Sequence, residues 1–241
     1  MSRETYAILI GIFVILIILS PFPVFFLAVM FLSYVISREV GKSIGVDISL
    51  FSPLVLLSQY FTPQLTPILI GTISLVYGYK SWSLEKFFKA LFLLFYPAIF
   101  LSYLINIREY GIYITSVFIF GLWINDVSAY YVGKRFGKTS LFPKISPKKT
   151  VEGFLGGIVL GSIFYLLFLP LSLWKSLLFS IFILTSGVVG DYFKSFIKRH
   201  IGIKDFSNIF GEHGGFTDRF DAVVFASPVF YFLICAWKFN C

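Results

Sequence analysis

Charge is scarce in this chain. Only 13% of its 241 residues are Asp, Glu, Lys or Arg, about half the share usual in a soluble domain. Hydrophobic residues make up 58% and aromatics 20%, and the mean hydropathy is +0.88. Soluble globular packing is excluded, because it could not hide this much apolar surface. Alternation of apolar with polar residues is also lacking, which excludes a transmembrane β-barrel. Cysteine is nearly absent, and Cys235 and Cys241 show no metal-ligand or redox spacing. There is no internal repeat and no low-complexity linker. No small-residue cleavage site follows the first apolar run, so that run is expected to remain as a membrane segment. The class left standing is all-α: a polytopic integral membrane protein.

What is present is a series of continuous apolar runs, at 6–20, 24–36, 48–61, 64–79, 87–105, 110–124, 151–171, 173–190 and 222–237. They read as about nine transmembrane helices, divided into an N-terminal bundle (1–106) and a C-terminal region (107–241) that carries two polar loops. Residues 6–36, interrupted at Pro21-Phe22-Pro23, are open between two short spans and one long tilted one. Run 48–61 is short for a full crossing and is open to a re-entrant reading. With nine spans, 17 of the 20 Lys/Arg fall on the N-terminal side of the membrane, and Arg108, Lys175 and Lys238 on the other. The positive-inside rule makes the richer side cytoplasmic, so the loops at 125–150 and 191–221 both face the compartment that holds nucleotides. The net charge of +8 sits in short loops between spans, which argues against nucleic acid as a partner and is compatible with a polyanionic substrate.

Charge concentrates in Asp191–Asp221, which holds five of the twelve acidic residues, five of the twenty Lys/Arg and both histidines. Such density between membrane-length runs calls for water, phosphate or metal as partners. Asp191, Ser195 and Lys198 stand at i, i+4, i+7, one face of a helix. Lys204-Asp205 follows a glycine break at Gly202. His213-Gly214-Gly215 makes a turn whose backbone N–H groups can approach an anion. Asp218-Arg219 and Asp221 close the stretch with two carboxylates at i, i+3.

The order Ser195, Lys198-Arg199, Lys204-Asp205, His213-Gly214-Gly215, Asp218-Arg219, Asp221 resembles the signature of the phosphatidate cytidylyltransferases, or CDP-diacylglycerol synthases. A second stretch resembles the family's other hallmark through Asp126, Ala129-Tyr130, Gly133-Lys134-Arg135, Ser146-Pro147, Lys149-Thr150 and Glu152-Gly153. The resemblance covers roughly residues 120–240. Departures are Lys194, where many members have glutamate, Gly211-Glu212 in place of Pro-Gly, and Lys148 in place of glycine. Because i, i+4 spacing sets Lys194 beside Lys198, a glutamate at 194 is expected to be tolerated.

The resemblance implies an enzyme that joins CTP to phosphatidate, giving CDP-diacylglycerol and pyrophosphate. It implies Mg²⁺ held by Asp191 and Asp218, with a second cation such as K⁺ sharing the site. It casts Asp191, Asp218, Lys198, Lys204 and Arg219 as catalytic. Asp126, Ser146, Lys149, Ser195, Arg199, Asp205, His213, Gly214, Gly215 and Asp221 become substrate contacts. A homodimer in a lipid membrane is expected on the same ground.

On the residues alone, simpler readings stay open. Lys198-Arg199 also suit membrane-end anchors, and Asp205 and Asp221 also suit partners of Lys204 and Arg219. His213 and Gly214-Gly215 also suit a plain turn, and Asp126 a helix cap. Trp123, Tyr130 and Tyr131 read as interface anchors more readily than as a cytosine platform. A transporter with a charged gate is disfavoured, because the runs carry almost no ionisable residues at mid-depth. A relative that phosphorylates a polyprenol is disfavoured by the Lys-Asp…His-Gly-Gly…Asp-Arg-x-Asp order.

Overall fold

The structure is a computed structural model that describes residues 3–211 and 214–237. Its helices are α1 Arg3–Leu19, α2 Phe22–Ile44, α3 Ser52–Phe61, α4 Thr66–Lys80, α5 Leu84–Leu94, α6 Phe100–Glu109, α7 Ile112–Phe136, α8 Val151–Phe168, α9 Leu173–His200 and α10 Phe216–Trp237. A two-stranded antiparallel hairpin, β1 Ser140–Phe142 with β2 Ser146–Thr150, lies between α7 and α8. A π-helical turn, Phe95–Ile99, joins α5 to α6. It contains Pro97, which has no N–H for the ordinary helical ladder.

Among the described residues, six helical stretches are long and apolar enough to cross a membrane: Phe22–Ile44, Leu84–Glu109, Ile112–Phe136, Val151–Phe168, Leu173–His200 and Phe216–Trp237. The chain is a multi-pass membrane protein. Against the expectation of about nine spans, the apolar stretches Ile8–Leu19 and Ser49–Phe61 and the 15-residue α4 fall short of the roughly 20 residues a helix needs to cross hydrocarbon. Residues 6–36 form two helices, parted at Pro21. Pro21 and Pro23 flank the start of α2, where a missing N–H costs no ladder bond.

Both polar loops are shorter than their composition suggests. Helix α7 runs on to Phe136, so Asp126, Ala129-Tyr130 and Gly133-Lys134-Arg135 are helical. Helix α9 continues to His200 and α10 starts at Phe216, so the stretch between the two helices is shortened to 201–215. Lysine, arginine and alanine are good helix formers, so a helix persists where its apolar run has ended.

The chain forms two compact units. One runs from the N-terminal helices to Glu109 and takes in Ile203–Phe220. The other holds Tyr110–Gly202 and the chain from Asp221 onward. The first is cored by Phe25, Ile36, Leu56, Leu93, Leu94, Leu101 and Ile105, all fully buried. In the second, Phe230 of α10 meets Phe118 of α7 and Phe179 of α9 at ring-centroid distances of 4.6 and 5.0 Å. The buried Tyr165 hydroxyl donates to the Phe118 carbonyl at 3.0 Å. Helix α8 lies unusually close to α7. A Cβ at Gly153 would come within 2.7 Å of the Ala129 carbonyl oxygen, and one at Gly156 within 2.6 Å of Val132. Gly153, Gly156 and Gly157, expected to allow close helix approach, therefore press the Glu152 end of α8 onto the Asp126-bearing stretch of α7. Thr150 caps α8, its hydroxyl accepting from Gly153 N–H at 3.1 Å, and this ties the hairpin to the helix.

Candidate active site

In the second unit, charged residues from four elements converge. Asp191 and Lys194 stand one turn apart on α9, Asp221 lies on α10, and Lys149 comes from β2. The Lys194 ammonium lies 3.0 Å from Asp191 Oδ1 and 2.6 Å from Asp221 Oδ2. Lys149 pairs with Asp191 Oδ2. Asp126 on α7 is in electrostatic reach of all four, and the Asn125 amide donates to its Oδ1 at 3.4 Å. The group balances three carboxylates against two ammoniums. Burial is graded: the Lys194 and Asp221 side chains are 8% and 9% exposed, against 42% for Lys149. Lys194 is thus a fixed counter-ion, whereas Lys149 sits where solvent or a ligand can compete for it.

One expectation is corrected here, and Asp221, for which a partner in Arg219 had stayed open, is seen to pair with Lys194. Lys194 is not a bystander beside Lys198: its ammonium is turned inward, between two carboxylates, and a glutamate would reverse the charge at the centre of the group. Sequence reading set Lys194 aside because the family pattern places no cation there. Its signal was the i, i+3 spacing from Asp191.

The first unit contributes a different construction. The N-terminus of α10 follows Gly215, which has no side chain to cap it. A carboxylate from α2 takes that part. Glu39 Oε1 accepts from Phe216 N–H at 3.0 Å and from the Ser207 hydroxyl at 2.6 Å. Its Oε2 accepts from Thr217 N–H at 2.8 Å and from the Thr217 hydroxyl at 2.7 Å. Asp218, in the first turn, reaches back in the manner of a capping box. Its Oδ2 accepts from Gly215 N–H at 3.2 Å and Phe206 N–H at 3.1 Å. Two carboxylates at a helix N-terminus also meet the positive end of its dipole. The turn needs both glycines. Gly214 has φ +76°, with its missing Cβ position 2.6 Å from Asp218 Oδ2, and Gly215 packs directly on the Glu39 carboxylate.

Glu39 was missed by sequence reasoning, which passed over residues 37–47 as a polar link. Its signal was a lone acid in a helix that is otherwise membrane-like, a costly placement that calls for a partner. Glu39→Ala is expected to leave four donors unmet, each costing about 1–3 kcal/mol where buried. The variant should unfold in detergent well below the parent, and the Phe216 and Thr217 amides should lose protection from hydrogen exchange. Glu39→Gln, which keeps one acceptor oxygen, should fall between. An unchanged thermal midpoint for Glu39→Ala would remove the clamp from this account.

The remaining predicted residues are placed as follows. Lys198 is buried on α9 and Ser195 half-buried beside it. Arg199 donates from Nε to the Ile145 carbonyl of the hairpin at 3.3 Å. Ser146 opens β2, half-buried. Lys204 and Arg219 are exposed, and Asp205 is half-buried in the 201–215 segment. His213 lies outside the described residues. Thus Asp126, Lys149, Asp191 and Asp221 come together within one unit, and Gly214, Gly215 and Asp218 within the other. Hard carboxylate oxygens of this kind suit Mg²⁺, so the donor set fits in chemistry. Among the described residues, no three of His, Cys, Asp and Glu stand ready in metal-ligating geometry, and ammoniums hold both oxygens of Asp191.

Comparison with known proteins bears on this arrangement. The cytidylyltransferase family profile matches residues 2–237. A phosphatidate cytidylyltransferase of Aquifex aeolicus (strain VF5) is 60% identical over 242 aligned positions, covering 100% of this chain and 93% of that protein. One from Bacillus subtilis (strain 168) is 41% identical over 138 positions, 55% of this chain and 51% of that protein. One from Staphylococcus haemolyticus is 35% identical over 175 positions, 69% of this chain. The family match spans nearly the whole sequence, including the helices that carry the lysine–carboxylate group and the capped turn, and the chain belongs to the cytidylyltransferase family.

Proposed function

We propose that this chain is a membrane phosphatidate cytidylyltransferase, making CDP-diacylglycerol and pyrophosphate from CTP and phosphatidate for phospholipid synthesis. The observation that carries the reading is the 60% identity, over the full chain, to a protein of that name. The lysine–carboxylate group at the polar ends of apolar helices supports it. In the reaction a phosphate oxygen of the lipid attacks the α-phosphorus of CTP. The bond to the bridging oxygen breaks, and its electron pair departs with pyrophosphate. The attacking oxygen is already anionic near neutral pH, so the chain supplies position and charge and no general base.

Lys149 is the residue best placed to exchange partners, leaving Asp191 for a phosphate while Lys194 keeps Asp191 and Asp221 in place. Lys198, Arg199, Lys204 and Arg219 are proposed for the triphosphate and the departing pyrophosphate. Ser146, Ser195, Asp205 and His213 are proposed as further substrate contacts, with the backbone N–H groups of the Gly214-Gly215 turn. Asp191 and Asp218 are the proposed Mg²⁺ ligands, with K⁺ as a second cation. When bound, the ions would neutralise two phosphorylated anions that otherwise repel. A homodimer remains a proposal from family resemblance.

The proposed setting is the cell membrane, with the hairpin and the 201–215 turn facing the cytoplasm. The Lys/Arg asymmetry supports this side. Two membrane-length helices, α8 and α9, separate the hairpin from the turn in sequence, an even number of crossings. Among the described residues the helices also number nine when Leu84–Glu109 is taken as one and each shorter helix is counted.

The test is incorporation of labelled CTP by the purified protein with phosphatidate. Label in the α-phosphate should enter the chloroform-soluble product, and label in the γ-phosphate should appear in pyrophosphate. Transfer of γ-label to the lipid would replace this reading with a kinase.

A further inference from the structure

Helix α2 carries a second basic feature that neither the capped turn nor the lysine–carboxylate group uses. Leu27, Phe31, Tyr34, Arg38 and Lys42 follow one another at spacings of four, three, four and four residues, so they form one stripe along the helix. The stripe changes character along its length. Leu27 and Phe31 are 64% and 58% exposed, Tyr34 is half-buried, and Arg38 and Lys42 are exposed. Leu27 and Arg38 are separated by about 16 Å of helical rise. Apolar surface thus gives way to a phenol and then to two cations, in the order in which a glycerophospholipid presents acyl chain, ester region and phosphate.

The basic end is concave. A cavity of about 410 Å³ is lined by Tyr34, Arg38, Lys42, Asp47, Leu50 and Tyr77. The Arg38 guanidinium donates to the Tyr34 hydroxyl at 2.9 Å and lies 5.9 Å from the centre of that ring, which steadies the cation at the cavity wall. The Tyr77 hydroxyl accepts from Asp47 N–H at 3.4 Å. Among the described residues, no carboxylate, Asp47 included, stands within ion-pair distance of Arg38 or Lys42. Simple membrane-end anchors need no such enclosure. At the apolar end, the Phe31 ring meets Phe216, the first residue of α10, edge to face at 6.5 Å, two residues before Asp218. The stripe therefore runs beside the helix start that Glu39 caps.

We propose that this cavity and stripe form a seat for phosphatidate, with its phosphate on Arg38 and Lys42 and an acyl chain along Phe31 and Leu27. A phosphomonoester carries between one and two negative charges near neutral pH and matches a pair of cations better than the single charge of a phosphodiester lipid. This rests on the proposed function, of which it names the lipid subsite.

The experiment uses the purified full-length chain and a phosphatidate bearing a diazirine on its acyl chain. Irradiation should mark the peptide that contains Leu27 to Lys42. Unlabelled phosphatidate should suppress the mark, while phosphatidylglycerol suppresses it weakly and phosphatidylcholine not at all. The double variant Arg38→Ala, Lys42→Ala should lose the mark and raise KM for phosphatidate about ten-fold. KM for CTP and the thermal midpoint in detergent should stay near the parent values. Equal suppression by phosphatidylglycerol would show an ordinary shell of anionic lipid and overturn the proposal, as would a mark or a lipid KM unchanged in the variant. Crosslinking is read without CTP, so a protein that binds phosphatidate here yet transfers no label would fail the functional reading while the seat stands.

Discussion

Asp191→Asn and Asp218→Asn should each reduce cytidylyl transfer below about a tenth of the parent rate, a barrier increase of at least ~1.4 kcal/mol. Asparagine keeps the shape of aspartate and removes its charge. At Asp191 the charge is the shared partner of Lys149 and Lys194. Neutralising it takes the group from three carboxylates and two ammoniums to an even balance, which lowers its affinity for any added cation. At Asp218 the substitution also removes the anion that receives Phe206 and Gly215 N–H groups at the start of α10. An asparagine side-chain oxygen can still accept there, so the turn should hold while the charge is lost. Both variants should retain their thermal midpoint to within a few degrees in detergent, and raising Mg²⁺ should recover part of the rate. Retention of more than a tenth of the rate by either folded variant would sink the assignment of these two residues as the metal pair.

How much of this was legible beforehand depends on how far apart the partners lie in the chain. Asp191, Ser195 and Lys198 could be placed on one helix because helical spacing is a local property, and α9 carries all three. Gly153, Gly156 and Gly157 could be read as a close-approach face because glycine spacing is local too, and α8 uses them against α7. Glu39 could not be paired with Thr217 from the sequence, since 178 positions separate them and Gly215, just before the helix, has no side chain to show where the cap comes from. The hairpin was hidden inside a stretch whose Lys and Pro content reads as loop. The lengths of α7 and α9 were underestimated for a related reason. Hydropathy marks where apolar sequence ends, whereas helical hydrogen bonding continues for as long as the residues permit. Family pattern misdirected the reading of Lys194. It set aside a departure that the fold turns inward.

That departure supports the second large effect. Lys194→Glu should leave the protein poorly folded or inactive, even though glutamate is the residue the family pattern favours there. Lys194 holds two carboxylates at 3.0 and 2.6 Å with its own side chain 8% exposed. Removing one partner from a buried ion pair costs about 3–5 kcal/mol, because the other charge is left without compensation. Glutamate does more than remove the partner. It places a fourth carboxylate among Asp126, Asp191 and Asp221 and leaves Lys149, half exposed, as the only ammonium of the original pair of lysines. Lys194→Met separates the two effects, since it deletes the cation and adds no anion. It should destabilise the protein less than Lys194→Glu and still lower the rate, because Asp191 and Asp221 would then repel at close range. If relatives with glutamate meet the same charge by recruiting an additional cation, high Mg²⁺ or K⁺ should restore Lys194→Glu more than Lys194→Met. Thermal unfolding in detergent and labelled-CTP incorporation across a cation titration read all three proteins. Lys194→Glu with parental stability and rate at low cation would show that the buried lysine is dispensable and that its two ion pairs hold nothing the reaction needs.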